Sequence, residues 1–139
     1  MTDMPSDRPD ARTMQGVIPY LAMGGRSAEA ADFYARAFGA TDLGRMPDAE
    51  APGRMMHVQV AINGGALMMT DHPGNGPGPA TEFGHLQLVV EDGRGWWDRA
   101  VAAGCSVVMP YERQFWGDDW GLLQDPFGLK WAILQPGPG

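Results

Sequence analysis

Apolar residues fall into short runs between turn residues, and their spacing switches between a period of two and a period near 3.6. Val17 to Met23 is an apolar run that predicts a strand, closed by the turn Gly24-Gly25-Arg26. Ser27 is placed to cap a helix, with Glu29 in a first turn where a carboxylate suits the helix dipole. Ala30, Phe33, Tyr34, Ala37 and Phe38 then share one helical face, and Gly39 fits the left-handed position past the last turn. A strand over Ala40–Met46 and a polar turn from Pro47 to Gly53 come next. Met55–Ile62 alternates as a strand, Asn63-Gly64 is a two-residue hairpin signal, and Gly65–Thr70 returns as the partner. The order is β-α-β-β-β.

The second half repeats that order. Gly84–Val90 predicts a strand, and Asp92 caps a helix that carries Trp97, Ala100 and Val101 on one face and stops at Gly104. Cys105–Met109 is a strand, Trp116–Trp120 a loop, and Leu122 begins another strand. Asp125-Pro126-Phe127-Gly128 is turn chemistry, and Leu129–Gln135 is the final strand. A shift of 65 residues places Leu21 on Leu86, Ala35 on Ala100 and Gly39 on Gly104; a shift of 63 places Gly65 on Gly128. The expected organisation is a disordered tail over 1–14 and a single domain over 15–135. That domain consists of a module at 15–71, a Gly/Pro linker at 72–82 and a module at 83–135.

Composition changes this picture in a few places. Twenty glycines and 12 prolines bring the chain just short of a low-complexity share, and ten of them lie in Pro73–Pro79 and Pro136–Gly139, which leaves the rest compatible with a turn-rich globular fold. A hydrophobic content of 44% supports a packed core. The net charge is −7 with no basic stripe, which argues against a nucleic-acid partner. No apolar run approaches the roughly 20 residues of a membrane span. The N-terminus also lacks the apolar stretch of a signal peptide, so no membrane association and a cytoplasmic location are expected. Cys105 is the one cysteine and reads as a small buried residue rather than a nucleophile.

Several segments carry a family resemblance: Ile18-Pro19-Tyr20-Leu21, Asp32-Phe33-Tyr34, Phe38-Gly39-Ala40, Met56-His57, Gln114-Phe115-Trp116-Gly117-Asp118 and Asp125-Pro126-Phe127-Gly128. With these the chain resembles the vicinal-oxygen-chelate superfamily of glyoxalase I, bleomycin-resistance proteins and extradiol dioxygenases, and within it the PhnB-like branch. The resemblance implies an α+β fold of two βαβββ modules forming cupped mixed sheets, assembled as a homodimer. It places a small-molecule site inside the cup. In metal-dependent relatives each module offers one ligand from its first strand and one from its last. Carried over, those positions fall on Tyr20, Met69, His85 and Ala132, of which only His85 suits a hard divalent metal. A divalent-metal cofactor is therefore left open.

Strand alternation gives a separate view. His85 and Gln87 share one strand face, as do His57 and Gln59, so two His-x-Gln pairs interrupt otherwise apolar strands. Such groups need partners: each other, water or a ligand. A shifted metal set of His57, Asp71 or His72, and His85 competes with the reading of Asp71-His72 as a surface turn. Phe115, Trp116 and Trp120 lie beside Asp118 and Asp119, where exposed rings and carboxylates would suit an aromatic or cationic ligand. The alternative is a hydrophobic plug beneath a loop. Met69 is expected to face the cup as an adaptable apolar wall. The leading expectation is a protein binding a small organic molecule through His57, Gln59, Met69, Gln87, Phe115 and Trp116. His85 is the candidate acid/base in that reading. The alternatives are a metal-dependent lyase or dioxygenase and a drug-sequestering protein without catalysis.

Overall fold

The computed structural model describes residues 17–71 and 85–138. The tail assigned to 1–14 and the linker assigned to 72–82 lie outside the described residues. The chain divides into two compact units, one built around 17–35 and 39–71 and the other around 36–38 and 85–138.

The first unit runs β1 (Tyr20–Ala22), α1 (Ser27–Phe38), β2 (Thr41–Pro47), β3 (Met55–Ile62) and β4 (Gly65–Thr70). Its strands order as β1-β4-β3-β2, with β1 parallel to β4 and the other pairs antiparallel. Asn63 and Gly64 both take positive φ, 51° and 85°, the conformation that a tight two-residue hairpin requires. This turn sets Ile62 opposite Gly65 and therefore Val58 opposite Met69. The predicted face of α1 is the buried one, with Ala30, Phe33, Tyr34, Ala37 and Phe38 all enclosed. Gly39 ends the helix at φ 67°, and its amide donates to the Tyr34 carbonyl. Ser27, however, is not the cap. Arg26 holds that position without a side-chain cap bond, and the Ser27 hydroxyl donates to Asp71 Oδ1 at 2.7 Å.

The second unit runs β5 (Leu86–Val89), α2 (Gly93–Ala103), β6 (Ser106–Arg113), β7 (Asp119–Gln124) and β8 (Lys130–Gln135). Its order, β5-β8-β7-β6, with β5 parallel to β8, is that of the first unit. Asp92 caps α2 by accepting from the Gly95 amide at 3.1 Å. Trp97 and Ala100 are buried as expected, whereas Val101 lies outside the buried stripe. The loop expected at Trp116–Trp120 lies at 114–118 instead, because β6 continues to Arg113 and β7 starts at Asp119, which puts Trp120 on a strand. The Gln114 amide donates to the Asp118 carbonyl at 2.8 Å and the Gly117 amide to the Gln114 carbonyl at 3.0 Å. Gly117, at φ 101°, makes the turn that closes this tip. Among the described residues no helix is long and apolar enough to cross a membrane.

Candidate functional site

Each sheet has one face carrying the residues singled out above. In the first unit Tyr20 pairs with Met68 across β1 and β4, and Met68 pairs with Gln59 across β4 and β3. Directly paired residues share a sheet face, so Tyr20, Met68, Gln59 and, two residues along, His57 project together. The Tyr20 hydroxyl lies 2.8 Å from His57 Nδ1, and His57 Nε2 lies 3.3 Å from Gln59 Oε1. The amide oxygen only accepts, so this pairing fits the neutral tautomer with its proton on Nε2, in which Nδ1 accepts from the Tyr20 hydroxyl. Gln59 is only 4% exposed, whereas Tyr20 is 54% exposed. The chain of hydrogen bonds thus runs from the sheet interior to an accessible phenol.

Met69 does not belong to this face. It is fully enclosed (0% exposed) and sits opposite Val58 and Leu21, on the side of the buried aliphatics. Met68 takes the position expected of Met69. The hairpin register is the cause, since a displacement of one residue reverses every side chain in a strand.

In the second unit the corresponding face carries Gln87, which pairs with Ala132, and Trp120, which pairs with Leu134. Trp120 Nε1 donates to Gln87 Oε1 at 3.4 Å. His85 immediately precedes β5 and is exposed, with its ring edge-on to Trp120 at 6.2 Å. Trp116 stands 6.1 Å from Trp120, and Phe115 stands 5.1 Å from Trp116 at 89°. The tight tip turns Phe115 and Trp116 outward, leaving them 97% and 47% exposed rather than plugged beneath a loop. Gln114 braces the tip by donating from Nε2 to the carbonyls of Glu112 and Trp120. The nearby carboxylates are already engaged. Asp119 pairs with Arg113 at 2.6 Å, and Asp118 accepts from the Gly137 amide at 2.9 Å.

A buried aspartate supports each face. Asp71 is no surface turn: Oδ1 accepts from the Gly25 and Ser27 amides and the Ser27 hydroxyl, and Oδ2 accepts from the Met55 amide. It ties the end of β4 to the start of α1 and to the start of the strand bearing His57. Asp125 accepts from the Phe127 and Leu129 amides and from Trp131 Nε1, fixing the turn that feeds β8. Burial, reinforced by the Asp125 charge, pushes the Cys105 thiol up to about 12, so it stays protonated and unreactive.

The donor set does not fit a divalent metal. Among the described residues no group of three His, Cys, Asp or Glu side chains is placed to hold one. Both nitrogens of His57 are committed within its own sheet, and the Asp71 carboxylate is saturated by four donors. His72 lies outside the described residues. The sheet pairing also matches Ala132 to Thr70 rather than to Met69, and neither Ala132 nor Thr70 offers a carboxylate. No metal-dependent step follows from these residues.

The family model of the Glyoxalase/Bleomycin resistance protein/Dioxygenase superfamily matches residues 17–133. The chain belongs to that superfamily. The Mycobacterium bovis protein Mb0911c is 37% identical over 118 residues, spanning 79% of this chain and 76% of its own. A solved Bacillus cereus PhnB protein, named as a putative 3-demethylubiquinone-9 3-methyltransferase, is similar in fold with a TM-score of 0.71 at 22% identity. That match covers 87% of this chain and 99% of the other. TnmS3, an antibiotic binding protein from Streptomyces sp. CB03234, gives a TM-score of 0.62 at 21% identity, covering 88% and 98%. The superfamily match accounts for the α+β fold and its two βαβββ modules. Three site features escaped the sequence reading: the Tyr20–His57 bond, Met68, and the bond from Trp120 to Gln87. Met68 was readable, because a two-residue Asn-Gly turn dictates the pairing of every residue behind it.

Proposed function

We propose that this superfamily member binds small organic molecules on its polar sheet faces, each of which bears a His-x-Gln pair. On the first face His57 and Gln59 act through the exposed Tyr20 hydroxyl they orient, and Met68 supplies the adaptable apolar contact expected of Met69; on the second, Gln87 supplies a polar contact and Phe115 and Trp116 supply ring surface. His85, exposed beside Trp120, is the group placed to exchange a proton with a bound ligand. The observation that carries the reading is Gln59, a buried amide on an apolar strand whose hydrogen bonds lead outward to an accessible hydroxyl. Titration of tryptophan fluorescence with a library of small organic compounds tests it. Saturable quenching that moves to about tenfold higher concentration in Trp116→Ala is expected, and a library without a saturating compound contradicts it.

A second reading, sequestration without catalysis, is supported by the likeness to an antibiotic binding protein and by the outward rings of Phe115 and Trp116. The two separate on His85. A turnover abolished by His85→Ala in a folded protein supports catalysis, and saturable binding without product supports sequestration. The protein acts as a cytoplasmic homodimer in either case. The exposed Val107, Val108 and Met109 on edge strand β6 support self-association. Light scattering should give twice the monomer mass.

A further inference from the structure

We propose that Tyr20 and His57 form a proton-transfer dyad, oriented by Gln59, that presents an activated phenol to small carbonyl compounds. The order of groups is the one nucleophilic sites require: a reacting hydroxyl, a base within hydrogen-bond reach, and a third group that fixes the base. Tyr20 Oη to His57 Nδ1 is 2.8 Å, and His57 Nε2 to Gln59 Oε1 is 3.3 Å. The phenol is the accessible member, at 54% exposure, and Gln59 is the enclosed one, at 4%. The sheet produces this gradient. Met68 separates Tyr20 from Gln59 across three strands, so only a side chain as long as tyrosine spans the gap to His57. The T-shaped contact of the two rings, 5.5 Å between centroids, holds the hydroxyl against Nδ1.

The step is a simple exchange. Tyr20 Oη attacks the carbonyl carbon of an ester, forming an O–C bond as its proton passes to His57 Nδ1. The tetrahedral centre collapses with loss of the alkoxide or phenoxide leaving group, which the imidazolium then protonates. Gln59 Oε1 accepts from Nε2–H throughout and steadies the charge that develops on the ring. Gln59 is a positioning residue.

The inference rests on the binding face proposed above, but its test requires no identified ligand. p-Nitrophenyl acetate is the probe, and acetylation is mapped to individual tyrosines by peptide mass spectrometry. Tyr20 should be the labelled tyrosine, ahead of the enclosed Tyr34 and the half-buried Tyr111, and His57→Leu should slow its labelling by about tenfold or more. An unchanged rate at Tyr20 in a folded His57→Leu protein overturns the dyad. Nitrogen-15 NMR of the unmodified protein provides a second readout, independent of whether that variant folds. His57 should carry its proton on Nε2 alone, and Gln59→Leu should abolish that preference. A proton on Nδ1 in the unmodified protein overturns the proposal as well. Failure here leaves the fluorescence titration of the binding face standing, and failure there leaves the labelling result standing.

Discussion

The two sheets share a strand order but present their polar residues in opposite ways. In the first unit Tyr20, His57 and Gln59 satisfy one another, and a ligand meets a preformed chain of hydrogen bonds ending in a hydroxyl. In the second unit Gln87 is bonded to Trp120, His85 stands edge-on to the Trp120 ring, and the outer surface is aromatic. One face is arranged for directional polar contact and the other for stacking. Duplicated modules can therefore keep a fold while their faces diverge, because residues on one side of a strand change without disturbing those on the other.

Breaking the first face at its support should have the largest effect. Asp71→Ala leaves buried amides and the Ser27 hydroxyl without their acceptor, and should lower stability by about 3 kcal/mol in a urea titration. The second unit differs by having a titrating thiol beside its own buried aspartate. The folded-state value of Cys105 is raised from the usual 9.0 to about 12. Its contribution is therefore fully present below about pH 9 and is lost as pH rises towards 12, where the unfolded chain ionises and the folded one resists. Denaturation midpoints should fall across that window and fall less steeply in Cys105→Ala, with a residual slope from Tyr111, whose hydroxyl is also held above its usual value by burial. Next comes the aromatic tip: Trp116→Ala should weaken binding of a compound selected by fluorescence about tenfold and leave stability unchanged, since the ring is half exposed. The smallest effect is expected from Gln87→Leu, which removes a long 3.4 Å bond to Trp120 and should weaken that binding about threefold by calorimetry.

The sequence made the elements legible because local chemistry decides them. Asn63-Gly64, Gly39 and Asp92 each act within a few residues, and the hairpin bounds Met55–Ile62 and Gly65–Thr70 appear as read. Register was recoverable too, but comparing the halves by a constant shift placed Met69 on the wrong face where the hairpin alone would have chosen Met68. Ser27 and Asp71 were misread for another reason. Their partners are 44 residues apart, and nothing local distinguishes a buried acceptor from a surface turn. The Tyr20–His57 bond is equally non-local. It depends on β1 inserting beside β4, which spacing along the chain does not announce.

The most direct test is chemical-shift mapping of isotopically labelled protein against the compound with the strongest saturable fluorescence response. The account predicts that the largest perturbations fall on the residues of a polar face, either His57, Gln59 and Met68 in the first sheet or Gln87, Trp116 and Trp120 in the second, and that residues on the buried sides stay unmoved. Saturable binding whose perturbations leave those residues unshifted and gather elsewhere would contradict it.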